Sequence, residues 1–347
     1  MNVIFNLQTL SREGAGLYYA TRPLLEELSS FSNTSVIGSS TSVFNRDWGG
    51  VTKFHHVSSL LDYRDIVGGR QSAIVHTHGL WGRHTVATSL QCKLPLIISP
   101  HGMLDTWAMS RSKIKKRIAL CSYEGLNFRR AKFFHALCSQ EADDIMRYAP
   151  SSKIYIAPNG VSDSQILETR KSRSKNVKFL YLGRLDKKKG VLELLNAWAK
   201  FVQKNKSAEL HVAGWGELES VVKSSRLNNL FFHGSVFGNE KVELYDSCDY
   251  FLLPSYSEGL PMTILEASAR GLVCGYSEAC NLPHELNDGL AFRCEPDIDS
   301  ILRVLFLAVD INEDEFSKMS FEARQNVKKN YSWNTITKKH LHYYEKC

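Results

Sequence analysis

No stretch of this 347-residue chain approaches the ~18 uninterrupted apolar residues that a membrane-spanning helix needs. The start, MNVIFNLQTLSREGAG, has no basic segment ahead of an apolar run, so no secretory signal is expected there. Eight cysteines (Cys92, Cys121, Cys138, Cys248, Cys274, Cys280, Cys294 and Cys347) are scattered without a C-x-x-C pair. That spacing fits neither a zinc site nor a disulfide scaffold, and it implies a reduced, cytoplasmic setting. Short repeats and low-complexity segments are missing too. So are basic stretches interleaved with aromatics, or any module that reads nucleic acid. Apolar residues make up 43% and charged residues 23%, which excludes a disordered chain. Lys+Arg minus Asp+Glu is 43 − 36 = +7, an excess compatible with an anionic ligand, a membrane surface or nucleic acid that does not choose among them.

What is present is alternation. Apolar runs at 3–7, 72–78, 95–100, 131–138 and 153–158 are each followed by a helical or turn pattern. Residues 162–176, SDSQILETRKSRSKN, are polar and basic and look like a connector. The alternation then restarts at 177–183, 209–214, 229–234, 250–254 and 272–276. Two α/β, doubly wound, Rossmann-like domains are therefore expected, at 1–161 and 177–332, with a linker at 162–176. A last helix at 333–347, with Trp333, Ile336, Leu341 and Tyr344 on one face, is expected to return to the first domain. Such sheets bind ligands at the carboxyl ends of their strands, so the two domains are expected to face one cleft.

The segment FLLPSYSEGLPMTILEASARG, 251–271, carries the most chemistry. A strand ends at Pro254, a loop holds Glu258, and Pro261 falls where a helix would start. Backbone N–H groups around Met262 to Ile264 then offer a site for a phosphate or a polar sugar. Glu266, about a turn and a half into the helix, can accept two hydrogen bonds from a vicinal diol such as a ribose. A solvated helix face also supplies such glutamate pairs. Earlier, LYLGRLDKKKG places Gly183 at a strand end, followed by Arg184 and Lys189-Gly190. Guanidinium and ammonium on one turn make a pyrophosphate clamp, while Lys187 and Lys188 read as solvated loop.

In context, S-E-G-L-P-x-x-x-L-E-A after an apolar strand closely resembles the E-x7-E signature of the family-4 glycosyltransferases, which have the GT-B fold. The G-R-L-x-x-x-K-G stretch at Gly183–Gly190 matches the same family. VAGWGE, with Gly214, resembles its glycine turn beside the nucleotide, and a plain tight turn reads equally well. NLPHEL resembles its N-L-P-E segment, with His284 interrupting the match at Glu285.

In the first half, Gly14 and Gly16 of SREGAG offer flexible N–H groups near donor phosphates, though a plain strand–helix turn reads equally well. HTHGLWG and SPHGMLDTWA both place His-Gly at a strand end, and the second resembles a segment of bacterial polysaccharide glycosyltransferases of family 4. His101 is the candidate for contacting the transferred sugar, with His78 structural or on the acceptor side. His76 and His78 have strand-pair metal spacing but no third ligand, so no metal site is expected. RSKIKKR, 111–117, carries five basic residues and no acidic one. It reads either as a solvated face or, with the rest of 111–130, as a surface against anionic lipid. Asp297-Ile-Asp299 imitates a metal motif of another glycosyltransferase fold but opens a helix, where Asp caps.

The resemblance implies a retaining, metal-independent glycosyltransferase without a cofactor. Its co-substrate would be a UDP- or GDP-linked sugar and its acceptor a glycan, plausibly on a polyprenyl diphosphate, for O-antigen, capsule or exopolysaccharide. His101, Glu258, Arg184 and Lys189 would be catalytic. Gly14, Gly16, Gly183, Arg184, Lys189, Gly214, Glu258, Gly259, Leu260, Pro261, Met262, Thr263 and Glu266 would hold the donor. A nucleotide-sugar epimerase of similar layout and a non-catalytic scaffold are the alternatives.

Overall fold

The computed structural model describes residues 1–8, 16–38, 53–56, 59–68, 72–169, 172–282 and 291–347. The chain divides into two compact units, one of residues 1–160 with 333–347, the other of 161–332.

The first unit is built on seven strands: β1 (Asn2–Leu7), β2 (Asn33–Gly38), β3 (Lys53–His56), β4 (Ala73–His78), β5 (Leu96–Ser99), β6 (Ala131–Ala136) and β7 (Ile154–Ile156). They pair in the order β3-β2-β1-β4-β5-β6-β7, and every pair is parallel. Successive residues point to opposite faces of a strand. Ile4, Ile37, Val75 and Ile98 accordingly enter one buried cluster, while Val3, Phe5, Val36, Ile74 and Ile97 enter another. Both faces being covered explains why β1 and β4 read as continuous apolar runs. The second cluster is completed by Trp333, Ile336 and Tyr344 of the C-terminal helix, α14 (Trp333–Tyr344). Gly160 lies against it, and a Cβ there would sit 2.7 Å from the Trp333 ring.

A chain of buried polar groups runs through this unit, and its direction is fixed by elimination. His135 Nε2 faces the Ala157 carbonyl at 2.6 Å, so it must donate. Burial holds this imidazole neutral, its pKa lowered to about 4, so Nδ1 accepts, from Ser99 Oγ at 2.6 Å. Ser99 Oγ, its proton spent, accepts from His76 Nε2 at 2.6 Å. His76 Nδ1 then accepts from the Tyr344 hydroxyl at 2.6 Å. Both ring nitrogens of His76 are thus hydrogen-bonded within the unit.

The second unit holds six strands: β8 (Lys178–Leu182), β9 (Glu209–Ala213), β10 (Leu230–Gly234), β11 (Tyr250–Leu253), β12 (Val273–Tyr276) and β13 (Ala291–Arg293). Their order is β10-β9-β8-β11-β12-β13, again all parallel. In both sheets the order reverses beside the first strand, which is the doubly wound arrangement expected. The switch point of this unit lies between β8 and β11, where such sheets bind ligands. Described residues of the polar stretch 162–176 pack onto the unit. Leu167 N–H donates to Ala269 O, Arg173 donates to Ala308 O and Ile311 O, and the buried Asp249 carboxylate accepts from Ser174 and Lys178 N–H. Asp297 caps the helix at Ile298–Asp310 by accepting from Ser300 N–H at 2.8 Å. Among the described residues, no helix is long and apolar enough to cross a membrane.

Candidate active site

In the second unit the loops leaving β8, β9 and β11 meet backbone to backbone. After β8, Gly183 N–H donates to Ala213 O, and Leu185 N–H donates to Trp215 O at 2.8 Å. This approach demands glycine. Gly214 (φ +143°) and Gly216 (φ +151°) take conformations that side chains rarely adopt, and a Cβ on either would overlap the carbonyl of Gly183 or Leu185. The Arg184 carbonyl is tied down by the buried Tyr181 hydroxyl at 2.7 Å. Its guanidinium is 61% exposed, lies 5.0 Å from the Trp215 ring centroid and 3.5 Å from Asp186, and is held ready for an anion.

Lys187–Lys189 form a 3₁₀ turn, and Gly190 (φ +69°) starts the helix α8 (Val191–Phe201). A side chain at Gly190 would overlap the Pro254 carbonyl, so this turn is pressed against the loop after β11. There Lys189 Nζ is ion-paired with Glu258 Oε1, which also accepts from Ser255 Oγ at 2.7 Å. The loop itself is pinned by Glu258 N–H to Ala279 O and by Asn281 Nδ2 to Glu258 O.

The helix α11 (Met262–Ala269) follows. Pro261 stands at its N-cap rather than at the first helical position, and Ile264 N–H donates to the Pro261 carbonyl at 3.2 Å. The expected set of free N–H groups around Met262 to Ile264 therefore shrinks to those of Met262 and Thr263. One turn on, Glu266 Oε2 accepts from the Tyr245 hydroxyl at 2.9 Å and pairs with Lys241 Nζ at 2.6 Å. Tyr245 and Lys241 lie four apart on α10 (Gly238–Ser247).

Gly183, Arg184, Lys189, Gly214, Glu258, Gly259, Leu260, Pro261, Met262, Thr263 and Glu266 thus all lie in or just beyond the loops leaving three neighbouring parallel strands. An arginine, a lysine and two hydrogen-bonded carboxylates there can bind a diphosphate and hydroxyl groups.

His101 belongs to the first unit, just after β5. It sits at φ +54°, followed by Gly102 at φ +74°. Burial holds its imidazole neutral, its pKa pushed down to about 3, and its Nε2 lies 2.9 Å from His78 Nδ1. The turn is held by a buried carboxylate: Glu141 accepts from Gly102 N–H at 2.6 Å and from Leu137 N–H at 2.7 Å. Burial raises Glu141 to about 7 against those two bonds. The other His-Gly turn, after β4, is held the same way, with buried Glu124 accepting from Trp81 N–H at 2.7 Å and Thr85 Oγ1 at 2.8 Å. Gly16 opens the helix α1 (Gly16–Ser29). Gly14, His284 and Glu285 lie outside the described residues.

Two family models match most of the chain: "Glycosyl transferase 4-like domain" over residues 38–160 and "Glycosyl transferases group 1" over 163–320. The chain belongs to the family-4 glycosyltransferases, of GT-B fold. Among its curated relatives is an uncharacterized glycosyltransferase of Methanocaldococcus jannaschii, 23% identical over 81% of this chain and 77% of that one. A UDP-Gal:alpha-D-GlcNAc-diphosphoundecaprenol alpha-1,3-galactosyltransferase of Escherichia coli is 27% identical over 73% and 70%. The solved structure of Anabaena HepE with UDP and glucose superposes with a TM-score of 0.78 over all of both chains at 14% identity, a likeness of fold.

Several residues that hold the candidate residues of each unit have no counterpart in the sequence reading. Lys241 and Tyr245 show only as an i, i+4 pair on a polar helix, 25 and 21 positions before Glu266. Ser255 and Asn281 sit in loops. Glu141 falls in the first turn of the helix at Ser139–Tyr148, a position where glutamate is ordinary.

Proposed function

We propose that this glycosyltransferase moves a sugar from a UDP- or GDP-linked donor to a hydroxyl of a lipid-linked glycan, with retention at the anomeric carbon. The observation that carries the reading is the Lys189–Glu258 ion pair, placed beside the helix N-terminus at Met262 in a chain of this family. Arg184 and Lys189 hold the diphosphate, Glu266 holds the ribose, and Glu258 faces the sugar. His101 hydrogen-bonds the transferred sugar as a neutral imidazole.

In the transfer, the bond from the sugar's anomeric carbon to the diphosphate oxygen breaks, and its electron pair stays on that oxygen. The acceptor hydroxyl oxygen bonds the same carbon from the same face, and its proton passes to the departing phosphate oxygen. Arg184 and Lys189 stabilise the charge that grows on the leaving group. The scheme assigns no cofactor and no metal, since cationic side chains supply this stabilisation.

A diphosphoundecaprenol acceptor is named for the Escherichia coli relative, and one surface of this chain suits such a partner. The helix at Lys113–Cys121 exposes Ile114 and Ile118, at 76% and 64%, among exposed Lys113, Lys115 and Arg117. Trp107, stacked by Arg111 at 3.9 Å, lies on the short helix just before it. Apolar side chains set among cations fit an anionic bilayer surface, and the product would serve a surface polysaccharide.

The test is transfer from a panel of UDP- and GDP-sugars to synthetic polyprenyl-diphosphate-linked sugars, with the product anomer assigned by NMR. A product with the donor's anomeric configuration is expected. Inversion, or donor consumption without a glycoside, contradicts the reading.

A further inference from the structure

We infer that Lys241 and Glu266 read the vicinal diol of the donor's ribose as a pair, one hydroxyl donating to Glu266 Oε1 and its neighbour accepting from Lys241 Nζ. The inference rests on the reading of Glu266 as a nucleotide-binding carboxylate and adds a donor to it.

The two oxygens of Glu266 are not equivalent. Both protein donors converge on Oε2, with Lys241 Nζ at 2.6 Å and the Tyr245 hydroxyl at 2.9 Å. Among the described residues none donates to Oε1. Tyr245 is buried, and its hydroxyl is also 3.4 Å from the Thr263 carbonyl, so Oε2 is anchored from the protein side. This fixes the plane of the carboxylate and leaves Oε1 as the oxygen offered to a ligand.

Lys241 and Glu266 stay reachable, their side chains 26% and 16% exposed. An ammonium carries three donors, and one is spent on Oε2. Two donors remain for a ligand hydroxyl that sits next to the carboxylate. A carboxylate alone would accept from both hydroxyls and leave their oxygens unread. With Lys241 in place, one hydroxyl is read as a donor and the other as an acceptor. A sugar lacking either hydroxyl leaves a charged group without its partner, and this is the strong form of discrimination. An ion pair serving only the surface would have no need to share its acceptor with a buried phenol.

The experiment is calorimetric titration of UDP and GDP, and of their 2′-deoxy and 3′-deoxy forms, into the wild-type chain, Lys241→Met and Lys241→Ala. For whichever base binds, the wild type is expected to prefer the ribonucleotide at least tenfold. Both variants are expected to bind it at least tenfold more weakly and to hold one of the two preferences below threefold. If either variant folds and keeps both wild-type ratios, Lys241 does not read the diol and the inference is overturned. A wild type that binds the diphosphates without discrimination overturns it too, while leaving the nucleotide reading intact. A wild type that binds no nucleoside diphosphate overturns both.

Discussion

Lys189 and Glu258 form an ion pair across 69 positions of sequence, and Ser255 Oγ donates to the same carboxylate oxygen. Their side chains are 18% and 9% exposed. The carboxylate is thus mostly withdrawn from water and depends on these donors. Leaving such a group unpaired costs more than the pair itself contributes. Lys189→Met should therefore lower stability by about 1–3 kcal/mol. The double variant Lys189→Met/Glu258→Gln should recover most of that loss, because the stranded charge is gone. Urea unfolding of the four proteins of the cycle measures it, and additive losses would show that the pair is not coupled.

The glycines near the site divide by what surrounds them. Gly214→Ala places a Cβ onto the Gly183 carbonyl at a φ that alanine rarely adopts. The expected loss is more than about 1 kcal/mol, and nucleotide affinity should fall with it, since Gly183 carries Arg184. Gly259→Ala meets nothing within 4 Å. It should leave the melting temperature within 2 °C of wild type, a shift of about 1 kcal/mol or less in a chain this size. Equal shifts for the two variants would contradict the packing described.

Tyr344→Phe removes the hydroxyl that His76 Nδ1 accepts from and leaves a buried acceptor unsatisfied. A loss of about 1–3 kcal/mol is expected. Amide exchange in α14 should accelerate, because Tyr344 is that helix's polar attachment to β4. Unchanged exchange there would contradict that attachment.

Stability should fall as pH drops below 6.5. His76, His78, His84, His101, His135 and His340 are all held neutral, chiefly by burial. Their folded pKa values lie below the unfolded one, so the unfolded chain binds more protons between about pH 4 and 6.5. Each fully withheld proton removes about 1.4 kcal/mol per pH unit over that window. Glu141, raised to about 7, works the other way: its contribution is present at low pH and is lost as pH rises towards 7. Glu124 and Asp144, also raised by burial, act with Glu141, but six histidines outweigh three carboxylates, so the urea midpoint should decline steadily from pH 7 to 5. A flat profile would mean that the histidines are hydrated.

The sequence made the second unit's site legible because its chemistry is local. Gly183 to Gly190 and Glu258 to Glu266 each lie within one loop and one helix start, where the resemblance to the family-4 motifs picks them out. Contacts across the sheet left no such mark. Glu141 reaches Gly102 from 39 positions away, and Lys241 reaches Glu266 from another helix. β2 escaped notice because Thr34 and Ser35, both buried, interrupt its apolar pattern. The 162–176 stretch reads as a linker by composition, yet its polar groups are the ones that Asp249, Ala308 and Ile311 require. Spacing also does not show that Ile264 N–H turns back to the Pro261 carbonyl, which shortens the open helix start.

We propose that Arg184, Lys189, Glu258 and Glu266 form a nucleoside diphosphate site. Calorimetric titration of UDP and GDP into the wild-type chain and into Lys189→Ala measures it. Saturable binding of one of the two diphosphates is expected, at least tenfold weaker in a variant that remains folded. Equal affinity in both proteins, or no binding of either diphosphate by the wild type, would rule the site out.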